Sequence, residues 1–120
     1  METKQSISVL VVDDNQDLAE NIAEILALRG ITAVIATSAE EAMPKALPTG
    51  PDLLVTDFRL PGMSGAELVR QVRARRQNVR AVVISAYTDD GTVAAAREAG
   101  ADFLPKPVDL GALSRILASP

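Results

Sequence analysis

Apolar positions along this chain alternate between two periods. Ser8 to Val12 reads as a first strand, its run Val9-Leu-Val-Val12 apolar at every step, as expected of a strand covered on both faces. Leu18, Ile22, Ile25 and Leu26 then recur at helical spacing, and Gly30 stands where a helix C-terminus favours glycine. Ile31 to Ala36 reads as a second strand. Ser38 followed by Glu41 has the pattern of a capping box opening a second helix. Pro44 inside that helix removes a backbone donor and predicts a kinked or weak element. Leu53 to Thr56 predicts a third strand, and Ala66 to Arg76 a third helix with Leu68, Val69 and Val72 inward. Ala81 to Ile84 is the fourth strand, Thr92 to Ala99 an alanine-rich helix stopped by Gly100, and Ala101 to Leu104 a short fifth strand. Leu110, Leu113, Ile116 and Leu117 form the stripe of a last helix.

Five strands alternating with five helices imply an α/β domain, a doubly wound parallel sheet with helices on both faces. No repeat, low-complexity tract or linker interrupts the alternation, and 120 residues fit one domain. A single domain over residues 1–120 is expected, with its core from about 7 to 118. The residues before Ile7 are polar, and no apolar run approaches the ~20 residues needed to cross a bilayer. The expectation is a soluble, cytoplasmic protein without a membrane partner.

Composition narrows the chemistry. Aromatic residues are only 2%, so the core must be aliphatic and alanine-rich. Cysteine is absent, which excludes disulfides, thiolate metal sites and a cysteine nucleophile. Histidine is absent too, and with it the commonest general base and metal ligand. Any bound metal must be held by oxygen, which points to magnesium, calcium or manganese. Charge is uneven: residues 1–60 carry 10 acids and 4 bases, and residues 61–120 carry 6 acids and 8 bases. Arg70, Arg73, Arg75, Arg76 and Arg80 cluster. Without nearby aromatics, and in an acidic chain, they fit a helix end at the negative pole of its dipole better than a nucleic-acid surface.

In sheets of this kind ligands gather at the carboxyl ends of the strands. There the first strand leads to Asp13-Asp14, the third to Asp57, the fourth to Ser85 and the fifth to Lys106. Converging carboxylates raise one another's cost of ionisation. A hard divalent cation, magnesium before manganese, relieves it, and Lys106 adds a positive charge able to pair with Asp57. A carboxylate so held can attack phosphorus and form an aspartyl phosphate. The cation and ammonium would neutralise charge on the phosphoryl oxygens. Ser85 could donate a hydrogen bond to the attached group. No general base is required, because a carboxylate has no proton to lose.

Four motifs carry a family resemblance: V-V-D-D-N at 11–15, V-T-D-F-R-L-P-G-M-S-G at 55–65, V-I-S-A at 83–86 and F-L-P-K-P at 103–107. Together they resemble the receiver domain of bacterial two-component response regulators, and in particular the chemotaxis regulators. The resemblance covers essentially the whole chain. It implies a flavodoxin-like sheet of order 2-1-3-4-5, for which a member of this family is itself a standard illustration. It also implies roles. Asp57 accepts phosphoryl from a sensor histidine kinase or a histidine phosphotransfer protein. Asp13, Asp14, Asp57 and the Arg59 backbone carbonyl hold magnesium. Ser85 and Phe103 form the switch, Lys106 is the catalytic lysine, and Lys106–Pro107 is a cis peptide. Arg59 and Tyr87 stand where the family tunes the lifetime of the phosphoryl group. Phe103 lacks the hydroxyl of the tyrosine often found there, and Pro105 stiffens the loop before Lys106.

The implied receiver is a phosphoacceptor that modifies only itself, not a turnover enzyme. Its switching surface is the fourth helix, fifth strand and fifth helix, which could also dimerise. The kinase would dock beside Gln16, Asp17, Glu20, Asn21 and Glu24. Taken singly, Asp13-Asp14 fits a helix N-terminal cluster, Asp57 a turn start, Ser85 a structural hydroxyl, Lys106 a solvated cation and Phe103 a core residue. Gly62 and Gly65 read as backbone devices of the loop after Asp57. Convergence at four strand ends favours function. A haloacid-dehalogenase-type phosphatase would carry D-x-D after its first strand, where this chain has adjacent aspartates. A nucleotide- or flavin-binding domain would want a glycine- or hydroxyl-rich phosphate loop where Asp13 to Leu18 stand. A receiver-like interaction scaffold would lack one of Asp13, Asp14, Asp57, Ser85 and Lys106. The chain ends at Pro120, just after the last helix, so both a stand-alone receiver and a module of a larger regulator or hybrid kinase are expected.

Overall fold

Each apolar run pairs with another to form one sheet. In the computed structural model, which describes residues 7–47 and 51–118, the strands are β1 (Ser8–Val12), β2 (Thr32–Ala36), β3 (Leu53–Asp57), β4 (Arg80–Ser85) and β5 (Asp102–Pro105). They alternate with α1 (Gln16–Leu28), α2 (Ala39–Ala46), α3 (Gly65–Arg75), α4 (Asp90–Glu98) and α5 (Leu110–Ala118). All strand pairs are parallel, in the order β2-β1-β3-β4-β5. The expected doubly wound fold is the one observed. Among the described residues no helix is long and apolar enough to cross a membrane.

Strand alternation divides the core in two. Leu10, Val12, Leu54, Ala81 and Val83 pack with the inner faces of α2, α3 and α4. Val9, Val11, Leu53, Val55, Val82 and Ile84 pack with Ala19, Ile22 and Leu26 of α1 and Leu113 of α5. Leu68, Val69 and Val72 are fully buried, as their spacing predicts. The side chains of Leu110 and Leu117, the outer positions of the predicted last stripe, lie outside the described residues. Phe58 and Phe103 are aromatic partners of this aliphatic core, both half-buried against the α2–α3–α4 side.

Side-chain oxygens start the helices. Asn15 Oδ1, Ser38 Oγ, Ser64 Oγ and Asp89 Oδ2 accept from the N–H of Leu18, Glu41, Glu67 and Thr92 at 3.2, 3.0, 3.1 and 3.0 Å. Each such cap is worth ~1 kcal/mol. The Ser38–Glu41 capping pattern holds with one change: Glu41 Oε1 accepts from the N–H and hydroxyl of Thr37, one residue before the cap. α2 spans eight residues with Pro44 inside it and ends two residues later at Ala46. Pro44 and Glu40, whose carbonyl loses its partner, are both exposed, which leaves that carbonyl to water. The arginine cluster is largely structural. Arg73 donates to the Val79 carbonyl, Arg76 to the carbonyls of Ala46 and Pro51 at 3.3 and 3.0 Å, and Arg70 pairs with Glu67.

Candidate functional site

Register brings the first two carboxylates together. β1 and β3 are neighbours with Val12 opposite Thr56, so the next residues, Asp13 and Asp57, emerge side by side on one face at the carboxyl edge of the sheet. On the far side of β3, β4 pairs with β5, and the Lys106 N–H donates to the Ser85 carbonyl at 2.9 Å. This bond places the lysine at the same edge. The Lys106–Pro107 peptide is cis.

The Lys106 ammonium bridges the two buried aspartates: Nζ lies 2.7 Å from Asp57 Oδ1 and 3.2 Å from Asp13 Oδ2. The charge pattern along the sequence pairs Lys106 with Asp57 alone; in the structure it is shared with Asp13. The remaining oxygens are held by backbone. Asp13 Oδ1 accepts from Asn15 N–H at 2.9 Å, and Asp57 Oδ2 from Arg59 N–H at 3.2 Å. Asp14 is exposed, and one oxygen from each of Asp13, Asp14 and Asp57 lies within 4.8 Å of the others.

Three carboxylates face one ammonium, so the cluster is short of positive charge. Burial pushes the Asp57 carboxyl above its ordinary range; the Lys106 hydrogen bond pulls it down and the Asp13 charge pushes it up again. Burial alone would lower the Lys106 ammonium, but its hydrogen bond to Asp57 and the charges of Asp57 and Asp13 outweigh that and hold it above its ordinary value. The lysine therefore stays charged while Asp57 carries an uncompensated cost of ionisation. An all-oxygen donor set of this spacing fits a hard divalent cation, and Arg59 is fixed beside it by an antiparallel bridge to Ser64.

Ser85 and Phe103 lie on the other face. Ser85 is buried next to Val83, on the α3–α4 side, with its Oγ accepting from Tyr87 N–H at 2.9 Å. Phe103 lies opposite Val83 in the β4–β5 register and so shares that face with Ser85. Tyr87 is half-exposed, and the Arg59 guanidinium stacks on its ring 4.1 Å from the centroid. Two residues gain roles beyond those read from sequence. Thr56, fully buried, donates its hydroxyl to the Asp57 carbonyl at 3.0 Å. Gly65 donates its N–H to the Phe58 carbonyl at 2.7 Å and packs directly on the Asp57 backbone. A hydroxyl next to Asp57 in an apolar strand was the available signal for Thr56.

The family model for the response regulator receiver domain matches residues 9–118. The chain belongs to that family. A response regulator receiver protein of Anaeromyxobacter sp. is 48% identical over 109 residues, covering 90% of this chain and 44% of the relative. A crystal structure of a response regulator receiver protein from Pseudomonas putida has 38% identity and a TM-score of 0.86, covering 96% of this chain and 98% of that one. A Burkholderia pseudomallei response regulator, 26% identical, has a TM-score of 0.87 over 95% of this chain and 68% of that one; its structure contains a phosphorylated aspartic acid, a calcium ion and citrate. The chain spans about half or less of the length of the curated relatives it matches. This is a two-component receiver domain with an acidic pocket of the phosphoacceptor kind, and nothing favours the dehalogenase-type alternative.

Proposed function

We propose that this receiver, one domain over residues 1–120, accepts a phosphoryl group on Asp57 from a histidine kinase or histidine phosphotransfer protein. The observation that carries the reading is the Lys106 ammonium held between Asp57 and Asp13 in a three-carboxylate pocket. An Asp57 oxygen forms the new P–O bond as the P–N bond to the donor imidazole breaks, and the electron pair leaves on that nitrogen. Asp57 is already fixed by Thr56 and the Arg59 N–H, so little reorganisation precedes attack. Lys106 carries fixed charge beside the incoming phosphoryl oxygens. Asp13, Asp14, Asp57 and the Arg59 carbonyl would hold magnesium, or manganese, which when bound offsets the phosphoryl charge. The phosphorylated aspartate and calcium in the Burkholderia relative support this assignment.

The kinase contact we assign to the exposed polar side of α1, Gln16, Asp17, Glu20, Asn21 and Glu24. The domain is cytoplasmic, turns over no external substrate and binds neither nucleic acid nor membrane itself. Its output passes through the α4–β5–α5 surface to a partner or a second receiver. With magnesium and acetyl phosphate the chain should gain the mass of one phosphoryl group, mapping to Asp57. Labelling elsewhere would overturn the assignment. Magnesium should shift the amide resonances around residues 13, 14 and 57 and raise the melting temperature, and both effects should be much smaller in Asp14→Ala. Equal responses in the two proteins would remove the metal site.

A phosphoryl group on Asp57 offers the Ser85 hydroxyl a charge-assisted acceptor, roughly twice as strong as a neutral one. Ser85 then turns from the α3–α4 face toward Asp57, and Phe103, on the face it leaves, rotates inward. Full burial of a Phe from water is worth ~1.5–3 kcal/mol, and a half-buried ring gains part of that. Such a gain biases two states separated by a few kcal/mol. Phe103 has no hydroxyl to anchor either position, so packing alone holds it. Structures with and without a phosphoryl mimic should differ in the Ser85 and Phe103 rotamers; identical rotamers would mean that the signal leaves by another route.

A further inference from the structure

β2 ends the sheet. It has β1 on one side and, among the described residues, no strand on the other. Its Ala36 carbonyl accepts from Asp13 N–H at 3.0 Å, so Thr32, Val34 and Ala36 turn their backbone groups toward β1. Ala33, Ile35 and Thr37, the alternate residues, turn theirs to the open side. Two of these outward groups are taken by side chains of α2. Lys45 Nζ donates to the Ile35 carbonyl at 2.9 Å, and Glu41 Oε1 accepts from Thr37 N–H at 2.7 Å. Glu41 Oε2 and Lys45 Nζ also pair with each other at 3.3 Å. One turn of α2 thus supplies a donor and an acceptor where a neighbouring strand would. The Thr37 N–H and hydroxyl, and then Lys45, hold the Glu41 carboxyl below its ordinary range, so it is an anion at neutral pH.

The strand beneath this pair has the makings of an adhesive edge. Ile31 to Ala36 carries no charge and no proline, and Ile31, Thr32, Val34 and Ile35 are β-branched. A segment of this composition on a sheet edge pairs readily with another chain, and charged side chains are the usual defence. Val34, midway along β2, is 45% exposed. We propose that the open edge of β2 is a self-pairing surface that Glu41 and Lys45 keep closed, and that its occupant, once they release it, is the same edge of a second copy of this chain. The outward groups fix the register. Two antiparallel copies related by a two-fold axis at Val34 set Ala33 of one against Ile35 of the other, and each such pair exchanges both backbone hydrogen bonds. Val34 then faces its own counterpart in the non-hydrogen-bonded position, where side chains come closest. Lys45 blocks this arrangement directly, because the Ile35 carbonyl that it occupies is an acceptor the second copy needs. The surface is separate from the α4–β5–α5 face, and it requires neither metal nor a phosphoryl group.

Sedimentation equilibrium of the unphosphorylated full chain tests the closure. Lys45→Met keeps the aliphatic stem and removes the donor, and it should self-associate roughly tenfold or more tightly than wild type, the scale of one hydrogen bond from a charged group. Lys45→Arg keeps a donor and should behave as wild type. Glu41→Gln leaves Thr37 an acceptor but removes the charge that holds Lys45, so it should tighten association in the same direction and by less. Adding Val34→Lys to Lys45→Met opposes two like charges at the axis and should restore wild-type behaviour. Cross-linking reads the register. The chain has no cysteine, so Val34→Cys supplies a single thiol. With oxidised glutathione as oxidant, the Lys45→Met/Val34→Cys protein should form a disulfide-linked dimer roughly tenfold faster than Val34→Cys alone, because facing Cα atoms of a non-hydrogen-bonded pair stand within disulfide reach. Thermal melts establish that each variant is folded. Folded Lys45→Met and Glu41→Gln proteins that associate no more tightly than wild type would overturn the proposal. So would association that survives Val34→Lys without cross-linking at residue 34. Equally fast cross-linking with and without Lys45 would show that the pair does not close the edge.

Discussion

Asp57→Asn should take up no phosphoryl group from acetyl phosphate under conditions that label the wild-type chain fully. The substitution keeps the side-chain shape and removes the anionic oxygen that forms the P–O bond. No neighbour can replace it: Asp13 is tied to Asn15 N–H and Lys106, and Asp14 lies outside at the mouth. Lys106→Ala should still be labelled, but ~10²–10³-fold more slowly, the usual cost of losing one preorganised charge beside a reacting oxygen. It leaves Asp57 facing Asp13 with no ammonium between them, which pushes the Asp57 carboxyl higher still. The pH profile follows from the same charges. Asp57 titrates above its ordinary 3.8, so in metal-free buffer the nucleophile is lost to protonation at a higher pH than for a free aspartate. For stability the sign is the reverse of a salt-bridged acid. The fold favours protonated Asp57, so its contribution falls as pH rises from 3.8 through the raised value. Lys106, held above 10.5, contributes stability that persists through neutral pH and is lost only as pH rises through its own raised value. Mass spectrometry across pH with the three proteins checks the set, and stoichiometric labelling of Asp57→Asn would sink the assignment.

The fold was legible because apolar period and turn chemistry agree at nearly every boundary. Runs such as Val9 to Val12 and helix stripes such as Leu68, Val69 and Val72 need no tertiary context to be read, and Gly30 and Gly100 stop their helices where expected. Errors are of one or two residues at ends, where polar residues extend a strand by pairing: Asp57 and Ser85 each complete the ladder begun by their apolar neighbours. Pro44 lies in a helix of only eight residues, and how much its missing donor costs depends on where the orphaned carbonyl faces, which is a tertiary fact. The acidic site was legible once the strands were known to be parallel, since parallel strands bring their carboxyl ends to one edge. What sequence could not give was sharing. Lys106 serving two carboxylates, and Arg59 turning its guanidinium to Tyr87, depend on register between β1 and β3 and on the relative height of two loops.

Gly65→Ala should destabilise the domain and misplace Asp57 together, an outcome that its position at the start of α3 conceals. In an ordinary helix the change is favourable by up to ~1 kcal/mol. Here a Cβ would stand 2.1 Å from the Asp57 carbonyl oxygen, 3.0 Å from its carbon and 3.1 Å from Thr56 Oγ1. The two nearest opposing atoms are backbone, and no rotamer relieves their clash. Either α3 backs away, stretching the Gly65 N–H bond to Phe58, or the end of β3 shifts and carries the Asp57 carboxylate off Lys106. Overpacking of this kind costs ~1–3 kcal/mol, and rigid neighbours put it toward the upper end. Each kcal/mol moves the melting temperature of a domain this size by roughly 3–6 °C. Labelling by acetyl phosphate should slow as well, because displacement by even ~1 Å is enough to cost ~10²-fold. Two controls separate the effects. Gly62→Ala strains a backbone with φ of +83° but meets open space, so it should cost ~1 kcal/mol and leave labelling nearly intact. Ser64→Ala removes the α3 cap, also worth ~1 kcal/mol, without touching Asp57. Thermal melts and labelling rates for the three variants decide the matter. A Gly65→Ala protein as stable and as quickly labelled as wild type would show that the close packing of α3 on Asp57 plays no part in holding the acceptor.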